Sequence, residues 1–137
     1  MTVSMHLSRT RKPATAWLLL TWLAMPMEAQ APDAAAHKAW MNDASDAQED
    51  YRFALSDKDQ KAAVEALVKL DALMAKTEDY WTAKKVAEGV KLAADAHSLA
   101  SAALASARKA DMTGAGQNFE KLGATCNSCH ELHLEKR

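Results

Sequence analysis

The sequence predicts an all-α fold, and three observations support this prediction. After residue 29 the chain is rich in Ala, Leu, Lys, Glu and Asp, a composition typical of helices. Apolar residues recur at steps of three and four, and no segment alternates with a period of two over any length. Pro32 is the last proline, so no later proline interrupts the helical pattern.

The first 29 residues are typical of a secretory signal peptide. Three basic residues between positions 9 and 12 precede an uncharged stretch, 14–25, rich in Leu, Trp and Ala. This stretch is too short to span a bilayer but suits the apolar region of a signal. We expect cleavage after Ala29 and export to the periplasm, as a soluble rather than membrane-spanning protein. An uncleaved membrane anchor is the alternative.

The remaining segment, 30–137, is long enough for one small domain with a single core. Without the signal it carries 14 Lys and Arg against 17 Asp and Glu. This acidic balance lacks the basic face that nucleic acid would need, so we expect no nucleic-acid partner.

The first helix is predicted over residues 33–55. His37 and Met41 form a strip beside its apolar face, four residues apart. A lone histidine near a helix start, such as His37, is expected to be solvated. The apolar face itself repeats at three- and four-residue steps: Trp40, Ala44, Ala47, Tyr51 and Ala54.

A second helix is predicted over residues 59–76, after a break at Ser56 and Asp57 that can cap it. Its apolar stripe comprises Ala63, Val64, Leu67, Leu70 and Met74. Residues 77–79 then stop the pattern and begin a third helix over residues 80–110. Its apolar positions alternate by four and three residues, as in a helix-bundle seam: Val86, Val90, Ala93, His97, Ala100, Leu104 and Ala107.

The fourth helix is predicted over residues 116–136, with Asp111 and Thr113 as candidate caps. One side of it carries Phe119, Leu122, Cys126, Cys129, His130 and His133. Four amphipathic helices joined by short connections can bury their stripes only against one another. We therefore expect an antiparallel four-helix bundle.

Both cysteines of the chain lie in the pentapeptide CNSCH, residues 126–130. Cys126, Cys129 and His130 occupy positions i, i+3 and i+4, which share one face of a helix. Two thiols and an imidazole on one face match the attachment pattern of c-type haem. The sequence therefore predicts one covalent haem c, bound through thioethers at Cys126 and Cys129, with His130 as the proximal iron ligand.

Three other interpretations of the two thiols stay open. A zinc site needs further ligands; His133, His97 and His37 are available, but no second ligand pair is evident. A redox Cys-x-x-Cys motif normally lies where a strand meets a helix. A disulfide across a helical turn has poor geometry. No nucleophile with a base, paired carboxylates or phosphate-binding glycine loop is evident, so the sequence does not predict an enzyme.

A four-helix bundle with Cys-x-x-Cys-His on its last helix resembles the class II cytochromes c, which include cytochrome c′ and its low-spin relatives. The residue-level resemblance is confined to FEKLGATCNSCHELH, residues 119–133. It implies a haem inside the bundle, with the sixth iron position facing the first helix. The chain departs from the family in its short first two helices. It also has His133 and Leu134 where an aromatic residue and then a basic one are common, which leaves the pairing of the propionates there open.

In low-spin members of this family a methionine is the sixth ligand, and Met41 is our candidate for that position. A thioether ligand raises the haem potential relative to a second histidine. His37 is the alternative ligand, and Met41 as core packing with a vacant iron position is the third. His97 is expected to be partly buried or beside the haem, and His133 to lie at the haem edge or in solvent. Trp40 and Phe119 are expected to be ordinary core residues, with packing against the porphyrin as the alternative. Met74 and Met112 are also expected to pack in the core.

These observations predict an exported monohaem c-type cytochrome that carries single electrons between redox partner proteins. The alternative function is a five-coordinate haem protein that binds or senses small gases such as nitric oxide. Many class II relatives are dimers, so the resemblance also suggests a homodimer.

Overall fold

The computed structural model describes residues 33–133, and these residues form four α-helices without any strand. The helices are α1 (Ala34–Asp57), α2 (Gln60–Lys84), α3 (Ala87–Arg108) and α4 (Met112–Leu132). The predicted all-α class is thereby confirmed. The predicted signal peptide, 1–29, and the last four residues, 134–137, lie outside the described residues.

Three helices begin at an aspartate that caps the free N–H groups of the first turn. The side chains of Asp33, Asp59 and Asp111 accept hydrogen bonds from the backbone N–H three residues later, at 2.7, 3.0 and 2.9 Å. Such caps stabilise a helix start by about 1 kcal/mol each. Asp111 was a predicted cap, and its role is confirmed. The start of α3 has no side-chain cap.

The predicted break at residues 77–79 is wrong, because α2 continues through it to Lys84. Thr77 is buried, and its Oγ1 donates a hydrogen bond to the Leu73 carbonyl within the helix, at 2.9 Å. One turn later, Tyr80 and Trp81 are buried in a second apolar cluster. Burial of these two large rings outweighs the weak tendency of Thr, Glu and Asp to end a helix.

The turn between α2 and α3 lies instead at Lys85, whose φ of 57° is in the left-handed region. Val86, predicted as the first residue of the helical seam, precedes α3 as its N-cap. The third helix therefore begins at residue 87 rather than 80. The fourth helix begins at residue 112 rather than 116 and ends at residue 132.

All four helices contribute to one core, and its end nearest the α1–α2 turn is filled by large side chains. The predicted faces of α1 and α2 are buried there, with Tyr51, Leu67 and Leu70 all 0% exposed. From α4, Leu122 is fully buried, and the Phe119 ring lies 4.5 Å from that of Tyr51. The large rings thus connect α4 to α1.

Two sets of contacts fix which helix ends meet. Gln60 Nε2 donates to the Ala107 carbonyl at 2.9 Å, which joins the start of α2 to the end of α3. Near the far end of α2, the Trp81 ring packs against His37 of α1 and against His133 at the end of α4. The ring centroids are 5.7 and 4.5 Å apart. The start of α1 and the end of α4 therefore meet beside the α2–α3 turn.

Gly89 should be essential where α3 crosses the Trp81 ring. A Cβ atom at Gly89 would lie 2.6 Å from Trp81 Cδ2, well inside contact distance. Overpacking costs about 1–3 kcal/mol and replacing a helical glycine returns less than about 1 kcal/mol, so Gly89→Ala should lower the free energy of unfolding by about 1–2 kcal/mol. Urea unfolding followed by circular dichroism measures this difference.

Gly116→Ala is the matched control, because nothing lies within 4 Å of a Cβ at Gly116. That change should raise the free energy of unfolding by about 0.5–1 kcal/mol, since alanine is the better helix former. Equal effects of the two substitutions would contradict the packing described for Gly89.

Candidate functional site

Cys126, Cys129 and His130 lie in the last two turns of α4 and line one cavity. The cavity has a volume of about 130 Å³, and the unfilled space in and around it, part of it open to solvent, amounts to about 750 Å³. It lies at the end of the molecule where α1 begins and α4 ends. The motif residues therefore face space that all four helices surround.

Small residues of α1 and α3 form much of the remaining wall. Ala44 comes from α1, and Ala93 and Ala96 come from α3; all three are buried. Their methyl groups are too small to fill the space between the helices here. At the other end of the core, the larger side chains of Tyr51 and Leu122 fill that space. The cavity is therefore a consequence of which residues face the core at this end.

The structure brings the sequence-predicted residues of α1 to the same cavity. Met41 is half-buried and lines it, and so does His37 one turn earlier. The expectation that His37 is solvated is wrong, since it is only 4% exposed. Its ring stacks on Tyr80 with the centroids 4.1 Å apart and the planes nearly parallel.

The two thiols are free and hold their protons firmly. Burial, reinforced by the nearby Cys129 thiol, raises the pKa of Cys126 to about 11, and burial also raises the pKa of Cys129. Redox-active Cys-x-x-Cys motifs instead have a thiol with a lowered pKa, because the thiolate is the attacking species. The raised pKa values of these thiols therefore do not fit a thiol–disulfide exchange site.

Two residues of α2 that the sequence did not assign to the site line the cavity as well: Trp81 and Met74. Trp81 is 3% exposed, and its Nε1–H has no hydrogen-bond acceptor among residues 33–133. Met74, Thr77 and Trp81 follow one another at steps of three and four residues, so they share one face of α2. This pattern was not recognised because a helix break was predicted at residues 77–79. Met74, expected in the core, thus also borders the cavity.

His133 is half-buried and lines the cavity. Its Nε2 is buried and has no hydrogen-bond partner within the described part of the chain. Neither Trp40 nor Phe119 lines the cavity, and the expected core position of Phe119 is confirmed. Trp40 is half-buried with Lys76 over its ring, and Phe119 packs in the filled end of the core.

His97 is partly buried, as predicted, but it links α2 to α3 and does not line the cavity. Its Nδ1 lies 2.8 Å from Glu78 Oε2, and its Nε2 lies 3.7 Å from Asp71 Oδ1. Ser101 Oγ donates a hydrogen bond to the same Asp71 oxygen. His97 thus belongs to a polar link between two helices.

Comparison of the chain with protein-family models, with curated proteins and with solved structures finds no match. Within residues 33–133, no helix is both long enough and apolar enough to cross a bilayer. In the same range, no group of three or more His, Cys, Asp or Glu side chains is arranged to hold a metal ion. The function must therefore be argued from the cavity and its residues.

The residues of the cavity fit a covalently attached haem. Two thiols one helical turn apart can each form a thioether, and the adjacent imidazole of His130 can ligate iron. Iron in a porphyrin needs only one or two protein ligands, since the ring supplies the others. The alanine walls suit the apolar face of the ring. The cavity of about 130 Å³ is smaller than cofactor pockets of about 300–1,000 Å³, so a haem would also occupy the adjoining space that is open to solvent.

The raised thiol pKa values predict slow alkylation of the haem-free, reduced chain. At neutral pH the Cys126 thiol should react with iodoacetamide on the order of 100-fold more slowly in the folded than in the unfolded chain, because only the thiolate reacts. Its rate should keep rising with pH until the pH exceeds about 11.

The variants Cys129→Ser and Cys126→Ser report on the two thiols separately, with folding checked by circular dichroism. Cys126 should be the slower of the two, because it is the more deeply buried thiol. Equal rates for folded and unfolded chains at neutral pH would show that the thiols are not protected.

Proposed function

We propose that this protein is an exported c-type cytochrome that transfers single electrons. It holds one haem c through Cys126 and Cys129, with His130 as the proximal iron ligand. The observation that carries this proposal is the cavity at the end of the molecule. Both thiols and the imidazole line it, and Met41 of α1 lines it too.

The proposed frame is an antiparallel four-helix bundle with α4 as the haem-attachment helix. The order of contacts along neighbouring helices supports it. Along α2, Gln60 contacts Ala107 of α3, and Glu78 near the other end contacts His97, so residue numbers rise on one helix as they fall on the next. The same reversed order holds for α1 against α2, where Asp50 meets Lys69 and His37 meets Tyr80.

The chain's own residues have two tasks in this proposal. Cys126 and Cys129 would anchor the cofactor to α4 at two points. His130 presents a ring nitrogen to the iron from the same helix. When bound, haem supplies an iron that accepts or releases one electron.

Met41 is the proposed sixth ligand, because it lines the cavity from α1 while His130 lines it from α4. Iron that keeps the same ligands in both oxidation states reorganises little during electron transfer. Met41 is half-buried and also packs against the core, which favours the alternative function. In that case the vacant iron position faces apolar side chains and binds small gases such as nitric oxide.

Export to the periplasm is part of the proposal, because both the signal-like segment 1–29 and the attachment motif are typical of exported cytochromes. The partners would be other redox proteins. A homodimer, suggested by the resemblance, remains a proposal that gel filtration can test.

The attachment proposal predicts the mass of the chain purified from the periplasm of a host that matures c-type cytochromes. The mass should equal that of residues 30–137 plus one haem. The double variant Cys126→Ala/Cys129→Ala should have the unmodified mass, because no thioether can form. Ser128→Ala is the matched control: Ser128 lies between the cysteines and is exposed, so this variant should keep its haem. A wild-type protein without added mass would refute the proposal.

The ligand proposal predicts a low-spin ferrous spectrum that is lost completely in Met41→Ala. Carbon monoxide should then bind rapidly to the ferrous variant, since no internal ligand must leave. Met112→Ala is the control, because Met112 packs against the core and does not line the cavity. A high-spin ferrous wild type would favour the gas-binding function, and loss of the low-spin bands in His37→Ala alone would assign the ligand to His37.

A further inference from the structure

We propose that Trp81 and His133 form a binding pair for one carboxylate of the cofactor, a haem propionate. This inference rests on the proposed haem function and goes beyond it, because it assigns a second, non-covalent anchor to residues outside the attachment motif. The two residues come from different helices, α2 and α4, and both line the cavity.

Trp81 supplies a donor that the described protein leaves unused. Its side chain is 3% exposed, and its indole Nε1–H is buried without an acceptor anywhere in residues 33–133. An indole N–H can only donate, so a buried and unpaired one destabilises the fold unless a ligand accepts from it. Trp81 also lines the cavity, so a group bound there would lie against its ring.

His133 brings a second unpaired nitrogen on a ring that contacts Trp81. Its Nε2 is likewise buried and unpaired within the described residues, and its ring centroid lies 4.5 Å from that of Trp81. His133 is the C-cap of α4, and its backbone N–H donates to the Cys129 carbonyl at 3.0 Å, which ties it to the attachment motif. The ring donates from Nε2 when that nitrogen carries the proton.

Two unpaired nitrogens on contacting rings favour an anionic acceptor with two oxygens, and a carboxylate has this form. No Asp or Glu lines the cavity, so no described carboxylate of the protein competes for the pair. Haem, the group proposed for this cavity, carries two carboxylates.

The Trp81 ring is held in place before any ligand binds. Tyr80 and His37 contact it edge-on, with centroids 5.1 and 5.7 Å away. Gly89 of α3 lies against its other atoms so closely that no Cβ fits between them. A donor fixed in this way loses little entropy when it binds its acceptor.

Resonance Raman spectroscopy of the haem-loaded full chain tests this inference through the propionate bending mode. Trp81→Phe removes the indole N–H and keeps an aromatic ring, and His133→Phe removes the imidazole nitrogens in the same way. Each variant should shift the mode to lower frequency and lower the reduction potential at one fixed pH, because the propionate charge is less well compensated. Trp40→Phe is the control, since Trp40 does not line the cavity, and it should leave both quantities unchanged.

Haem-loaded Trp81→Phe and His133→Phe proteins with the wild-type mode and potential would overturn this inference while leaving the attachment proposal intact. If Trp81→Phe fails to load haem, the result for His133→Phe tests the inference alone. This variant should still fold, because His133 lies at the end of α4 and outside both core clusters. A wild-type chain of unmodified mass would overturn the proposed function itself, so the two failures are distinguishable.

Discussion

The rotation of α4 about its own axis is the constraint on which the site depends. Phe119 packs against the Tyr51 ring, and Leu122 is fully buried, so this face of the helix must point into the core. Cys126 and Cys129 follow Phe119 by seven and ten residues, which returns them to the same face. Ordinary core packing thus directs both thiols and the imidazole beside them into the interior, with no interaction specific to a cofactor.

The second requirement is space, and the distribution of small and large residues provides it. Tyr51, Leu67 and Leu122 fill the core near the α1–α2 turn, whereas Ala44 and Ala93 line the opposite end. Protein interiors are close-packed, because an empty cavity forfeits contacts along its lining. This cavity of about 130 Å³ adjoins solvent, so water or a bound group can fill it, and the two thiols and the imidazole that line it fit the haem we propose.

Much of the fold follows from the sequence, because burial of a helical face imposes a periodicity that is visible in the residues. The stripes on α1 and α2 and the shared face of Cys126, Cys129 and His130 are of this kind. The turn before α3 gave no such signal: Lys85 adopts the left-handed conformation without glycine, and Val86 offers no capping side chain. The capping residues at 77–79 therefore led to the prediction of a helix end at a place where α2 continues. Trp81 was missed for the same reason, since its place on the cavity follows only if α2 is continuous.

The central claim is that one porphyrin is covalently attached in the cavity, and its most direct test is the absorption spectrum of purified, periplasm-matured protein in alkaline pyridine. The account predicts the ferrous haemochrome bands of a c-type haem, in a ratio of one haem per chain, which persist after extraction with acidified organic solvent. A colourless protein that retains its helical circular dichroism, or a haem that the solvent removes, would contradict it.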